Sequence, residues 1–260
     1  MNPSAAVFPD HIFEELSKRE LRDVLEISHY IARTRTVDDV TLVLHKIRTS
    51  FEFPQVIGGL AQVDAQGRFQ QYTKILNISY PNDWLYVYAK NGYAEVDPIF
   101  VSLMRAPGAH VWAHTYEGAK APKQLAFIEE AKGFGVDNGV SVSQHAADQG
   151  VISFFSFAGA EAGVPQRYVP LVHYLTDQLH EVLLHLAPSN PPNVTAPLTS
   201  RELTVLNWVK LGKTNAEIAV IMGISERTVR FHVERIFVKL DVTARAQAVA
   251  CAIELGLLPA

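Results

Sequence analysis

The sequence predicts two domains of different class. The first is an α+β N-terminal domain, an antiparallel sheet flanked by helices as an α-β-α sandwich; the second is an all-α C-terminal domain of four helices arranged as a helix-turn-helix. Three observations carry this. A polar stretch with four prolines, Ala187 to Pro197, can neither continue a helix nor enter a sheet interior and reads as a linker. Before it, segments with apolar residues at three- and four-residue spacing alternate with strand-like runs bounded by turns. After it only helical spacing remains, punctuated by caps and glycines. The expected division is 1–187, a linker at 188–197, and 198–260.

In the first domain, Glu20 to Ala32 and Val37 to Phe51 carry helical spacing. Val56 to Val63 and Phe69 to Ile78 read as strands joined by a hairpin turn at Asp64-Ala-Gln-Gly67. Gln124 to Gly133 is a helix that ends in glycine. Two further strands begin at Gly139 and Gly150, with a polar turn between them. Leu171, Leu175, Leu179, Leu183 and Leu186 then mark a long amphipathic helix from Val169 to Leu186. Helices, an antiparallel meander and helices again imply a sheet covered on both faces. Such a domain can enclose a pocket, but the architecture names no function.

In the second domain, Thr199 is placed as an N-cap with Glu202 completing a capping box, and Leu203, Leu206 and Val209 form the expected buried stripe of a helix stopped by Gly212. A second helix, Thr214 to Met222, ends at Gly223. A third, Glu226 to Leu240, should pack inward through Val229, Val233 or His232, Ile236 and Leu240. A fourth, Arg245 to Leu255, carries Ala246, Ala248, Ala250 and Ala252, expected to allow close packing on a partner. A short helix, a turn and a longer helix is the layout whose last helix enters the major groove of DNA. The candidate DNA-contacting residues are Lys213, Thr214, Arg227, Thr228, Arg230, Phe231, Glu234 and Arg235, with Arg230 the foremost base reader.

Composition is that of an ordinary soluble globular chain. The chain has 260 residues, 48% of them apolar and 19% charged. No apolar run approaches the ~20 residues that span a bilayer, and the N-terminal segment lacks the basic-then-apolar pattern of a secretory leader. The single cysteine, Cys251, excludes an intrachain disulfide and fits a reducing compartment, so a cytoplasmic protein without a membrane partner is expected. The net charge of -4 argues at first against nucleic acid, yet from Thr195 onward eight Lys/Arg face six acids. The acidity belongs to the first domain. The ten histidines show no metal-ligand spacing, and no cofactor is expected.

The string LTSRELTVLNWVKLGKTNAEIAVIMGISERTVRFHVERIFVKLDVTARAQAVACAIELG resembles the C-terminal domain of LuxR-type transcription regulators, with Glu202, Leu206 and Gly212 at the family's most characteristic positions. The resemblance implies a four-helix domain that binds a palindromic promoter site in double-stranded DNA as a homodimer, with RNA polymerase as a further partner. Arg230 departs from the asparagine often found there, so base preference does not transfer.

Upstream, Tyr80-Pro-Asn-Asp-Trp84-Leu-Tyr-Val-Tyr88, then Asp97-Pro98, Trp112 and Gly139 resemble the acyl-homoserine-lactone-binding domain of quorum-sensing LuxR-type proteins. Its six characteristic positions fit Trp84, Tyr88, Asp97, Pro98, Trp112 and Gly139. The resemblance implies that Trp84 donates to a lactone carbonyl, Asp97 accepts the amide N–H and Tyr80 donates to an acyl carbonyl. Tyr88 and Trp112 would wall the head group, and Ser156 sits where the family often has a hydroxyl. Leu85 stands where some relatives carry arginine. Singly, these residues have plainer meanings: Tyr80, Trp84 and Tyr88 at four-residue spacing make a core stripe, Asp97 before Pro98 initiates a turn, and Ser156 is any strand hydroxyl. An Asp97 left unpaired in a buried site would leave the unliganded domain unstable or loosely folded. A phosphorylatable receiver is not expected, since clustered acids near the start and a strand-end aspartate acceptor are missing.

The function expected is a quorum-sensing transcription regulator, not an enzyme. The alternatives are a LuxR-type regulator that answers another small molecule or none, and a lactone hydrolase built on Asp97 and a nearby histidine. No sequence-adjacent nucleophile–base pair supports the hydrolase.

Overall fold

Two strands decide the architecture. In the computed structural model, which describes residues 16–64, 66–146, 150–159, 168–186, 198–255 and 257–258, β1 (Gln55–Val63) and β5 (Val151–Ala158) pair antiparallel inside a five-stranded sheet. Its order is β2-β1-β5-β4-β3, with β2 at Phe69–Asn77, β3 at Gly108–Val111 and β4 at Gly139–Ala146. Successive strand residues face opposite ways. Val56 and Leu60, with Phe155 and Phe157, therefore pack into one apolar cluster. Their neighbours Ile57, Ala61, Ile152, Phe154 and Ala158 pack into the other. Both strands are mostly apolar because both faces are covered, with Ser153 and Ser156 the polar residues inside β5.

One face carries α1 (Lys18–Ile31), α2 (Val37–Ser50) and α7 (Tyr168–His185). Ser17 with Glu20 and Thr36 with Asp39 form capping boxes that start α1 and α2, the first two residues earlier than the apolar spacing suggests. The other face carries α3 (Asn82–Lys90), a 3-10 turn at Tyr93–Glu95, α4 (Pro98–Arg105), α5 (Trp112–Glu117) and α6 (Pro122–Gly133). The expected α-β-α sandwich is present, but the strands are not a simple meander. After β2 the chain crosses to the far edge, forms β3, and returns through β4 and β5 to meet β1. Helices α3 to α5 and strand β3 are additions to the sequence reading.

The C-terminal domain comprises α8 (Ser200–Lys210), α9 (Asn215–Met222), α10 (Glu226–Leu240) and α11 (Arg245–Glu254) around Val205, Leu206, Ile218, Val229, Ile236, Leu240, Ala248 and Ala252. The α9–α10 turn passes through Gly223 at φ 64°, a left-handed conformation that glycine adopts without a Cβ clash. Two expectations need correction. Leu203 is half-buried rather than buried, packing against the margin of this core, while Val205 joins Leu206 and Val209 in the buried stripe. The alanines of α11 do not share a face: residues two apart on a helix point to opposite sides, so Ala248 and Ala252 are buried in the domain while Ala246 and Ala250 are exposed. The linker expected at 188–197 lies outside the described residues.

Gly139 begins β4 where Trp112 lies across it. A Cβ there would sit 2.4 Å from the Phe157 carbonyl oxygen and 3.1 Å from Trp112 Cδ2. Backbone cannot yield at that separation, so Gly139→Ala should destabilise the fold by about 1–3 kcal/mol through overpacking. A denaturant titration reading an unchanged midpoint would show that the strand accommodates the methyl group.

Candidate functional site

Between the sheet and the helices α3 to α6 lies a cavity of about 410 Å³, a volume suited to a small organic ligand. Tyr80, Trp84, Tyr88, Asp97, Trp112 and Ser156 all line it, and so does Leu85. Each arrives from a different constraint. Trp84 and Tyr88 are four apart on α3 and share its inner face. Trp84 is packed by Tyr88, Tyr93, Phe127 and Phe134 at ring-centroid separations of 5.8, 6.1, 5.8 and 5.2 Å. Tyr80 precedes the helix, its backbone N–H held by Asn77 Oδ1 at 2.8 Å. Among the described residues no acceptor takes the Trp84 indole N–H or the Tyr80 hydroxyl, and both donors belong to side chains that line the cavity.

Asp97 is buried and is the one carboxylate or basic side chain among the lining residues described. It caps α4: its Oδ1 accepts the Ile99 N–H at 2.8 Å, with Pro98 at the first helical position where no donor is needed. Its Oδ2 accepts the Tyr88 hydroxyl at 2.9 Å. The expectation of an unpaired aspartate is thus corrected: the carboxylate has partners before any ligand arrives. Burial raises its pKa to about 6 against the opposing hydrogen bonds from Tyr88, Ile99 and Phe100. At neutral pH it is ionised and can accept a further donor. The same burial, with the Asp97 charge, pushes the Tyr72, Tyr80 and Tyr88 hydroxyls far above their usual range, so all three are donors at neutral pH.

The Trp112 indole N–H donates to Ser141 Oγ at 2.8 Å, and Ser141 Oγ lies 2.7 Å from Ser156 Oγ. Indole only donates, so Trp112 fills a Ser141 lone pair. Ser141 can then donate its O–H to Ser156 Oγ, which leaves the Ser156 hydroxyl proton for the cavity. Tyr72, Tyr116 and Ser141 escaped the sequence reading. Ser141 faces Ser156 across β4 and β5, and that pairing register is the signal needed to find it.

In the C-terminal domain, Arg227, Arg230, Phe231, Glu234 and Arg235 are exposed along α10. Thr228 is half-buried and bonds Ser225, the N-cap, at 2.8 Å. Arg230 pairs with Glu226 at 3.5 Å, an exposed contact worth little. Lys213 and Thr214 both bind Glu217, and Thr214 caps α9, so two helix N-termini with their positive ends occur in one module. Arg235 differs from the others: its guanidinium lies 3.6 Å from Glu202. Glu202 is buried and also takes Lys239 Nζ at 2.7 Å. Burial raises the Glu202 carboxyl, but the bonds from Lys239 and Thr199 outweigh it and hold the group below its usual value. One carboxylate therefore caps α8 and fastens it to α10, a role for Lys239 that the sequence did not reveal.

A family model described as the autoinducer binding domain matches residues 36–183, more than half of the chain, and one described as bacterial regulatory proteins, luxR family, matches 196–252. The chain belongs to the LuxR family. It is an autoinducer-binding, DNA-binding transcription regulator of the quorum-sensing kind. Among its relatives are transcriptional activator protein SolR of Ralstonia nicotianae, 31% identical over 69% of this chain and 76% of that protein, and the quorum sensing-dependent regulator RpaR of Rhodopseudomonas palustris, 31% identical over 69% and 73%. The fold is shared with the N-acylhomoserine lactone-dependent factor CepR2 of Burkholderia cenocepacia (TM-score 0.54, 21% identity, 66% of this chain and 99% of that one). It is shared also with SdiA in complex with octanoyl-rac-glycerol (0.52, 20%, 93% and 97%).

Asp97 sets a pH dependence for this LuxR-family chain. Its folded pKa of about 6 lies above the ordinary 3.8, so the folded state binds the proton more tightly than the unfolded one. That contribution is complete below about pH 4 and is lost as pH rises through about 6; a separation of this size is about 3 kcal/mol. Asp97→Asn should therefore gain on the wild type, without ligand, between pH 4.5 and 7.5 in urea unfolding. A stability difference that is flat with pH would contradict the raised value.

Proposed function

We propose that the chain binds an N-acyl-homoserine lactone in this cavity and, as a cytoplasmic homodimer, occupies a palindromic promoter site. The observation that carries the ligand is one juxtaposition. Two donors without acceptors among the described residues, Trp84 and Tyr80, share a largely apolar cavity with one ionised acceptor, Asp97. A neutral molecule with two carbonyls, one amide N–H and an apolar tail satisfies that set. Trp84 donates to the lactone carbonyl, Tyr80 to the acyl carbonyl, and Asp97 accepts the amide. Tyr88 and Trp112 wall the head group, and the spare Ser156 proton offers a donor to an oxygen on the chain.

Hydrolysis of the ligand is not part of this reading. The described lining residues include no histidine to partner Asp97, as the hydrolase alternative would require. The deciding experiment is expression of the full chain with a panel of lactones, followed by mass spectrometry of what co-purifies and assay for lactone turnover. Recovery of an intact lactone supports the proposal; recovery of another lipid, or of nothing, with no thermal stabilisation by any lactone, refutes it. Trp84→Phe keeps the aromatic packing and removes one donor, so lactone affinity should fall about tenfold.

On DNA, Lys213, Thr214, Arg227, Thr228, Phe231, Glu234 and Arg235 frame the contact, and Arg230 reaches base edges. RNA polymerase is the further partner of the bound dimer. Arg230→Ala should cost about 1–3 kcal/mol on the preferred site and relax specificity at one base pair. Arg227→Ala should weaken all sequences alike and flatten the salt dependence. Binding curves on site variants at several salt concentrations distinguish these outcomes, and equal effects from both variants would remove Arg230 from base reading.

A further inference from the structure

The cavity is not walled by the N-terminal domain alone. Leu198, Leu203, Leu255 and Leu257, all from the C-terminal domain, line it together with residues of β2 and α3. Two sets of contacts put them there. β2 is an edge strand, so alternate N–H groups point away from the sheet. The Ile75 N–H donates to the Leu255 carbonyl at 2.8 Å, which lies at the end of α11 where a helix leaves its carbonyls without partners. Lys74 Nζ reaches the Ile253 carbonyl at 3.4 Å, a cation at the negative end of the same helix. On the other side, α8 touches α3, the helix that carries Trp84. The C-terminal domain thus straddles the gap between the sheet edge and α3. Leu198 and Leu255 are anchored in its own core. Leu203 and Leu257 are half-buried: they pack against the margin of that core and also line the cavity, so a ligand that reaches them meets their remaining surface.

We propose that the DNA-binding domain is itself a wall of the ligand site, and that the distal end of the ligand controls its docking. The inference rests on the cavity holding an acylated ligand. An apolar tail that reaches the leucines gains about fourfold in affinity per methylene buried. Coupling is reciprocal, so the same contact tightens docking by the same factor. A tail longer than the 410 Å³ cavity accommodates pushes on Leu203 and Leu257 and parts the domain from β2. Acyl length becomes domain position.

The test uses the full chain with homoserine lactones of increasing acyl length, in the wild type and in Leu203→Asp and Leu257→Asp. Leu203→Ala and Leu257→Ala give the same direction at smaller amplitude if aspartate disturbs folding. Hydrogen exchange at the Ile75 amide reads docking, and titration reads affinity. The expected result is a protected Ile75 amide in the wild type, exchanging about tenfold faster in either variant. Affinity should drop for long chains only, and wild-type protection should rise and then fall with acyl length. Equal Ile75 exchange in all chains, or a length profile untouched by the variants, overturns the proposal. Docking without response to any lactone refutes the ligand class proposed above and upholds the closed chain. A lactone response with an unprotected Ile75 upholds the ligand and overturns the wall.

Discussion

The N-terminal domain is organised around a carboxylate kept inside an apolar space. The Asp97 backbone N–H donates to the Tyr93 carbonyl of the 3-10 turn, while its side chain caps α4 and accepts from Tyr88 on α3, so one residue ties three segments at one wall of the cavity. Burial opposes its charge, and the donors around it only partly offset that cost. The remaining capacity of the group is what a ligand N–H can use. In the ligand-binding role proposed for it, stability and recognition compete at this one residue, and a bound ligand N–H would relax the competition.

The C-terminal domain uses the opposite arrangement. Glu202 is also buried, but a lysine meets it directly and an arginine approaches from the surface. Nothing there is left for a ligand. The geometry of α10 relative to α8 is fixed from inside the bundle, leaving its outer face to Arg227, Arg230 and Glu234. A buried ion pair of this kind is costly to break from one side, and that suits an element whose orientation carries the function.

Legibility from sequence followed the range of the interaction. Helix starts were readable wherever a hydroxyl cap met an acid three residues on, as at Thr199–Glu202 and Thr214–Glu217, because the whole signal is local. Trp84 and Tyr88 were readable as a pair, since four-residue spacing on any helix makes them neighbours. The order of the strands was not, because β1 joins β5 from the far end of the domain and a hairpin rule proposes only sequential partners. Tyr72 and Ser141 depend on register and stayed hidden with it. Helices α3 to α5 are short and rich in aromatic and β-branched residues, so their periodicity was weak. Leu203 packs only at the margin of the C-terminal core; an apolar helix face announces burial without giving its extent.

The nine-residue β2 lies at a free margin of the sheet, whereas the opposite margin is the four-residue β3. A long margin offers unpaired backbone groups to any other extended chain and is a template for aggregation. Here the end of α11 occupies part of that margin through Ile75 and Lys74. The same contact that faces the cavity therefore also bears on solubility: a chain cut before α11 would lose part of its regulator and, with it, the cover that keeps this margin from recruiting other strands.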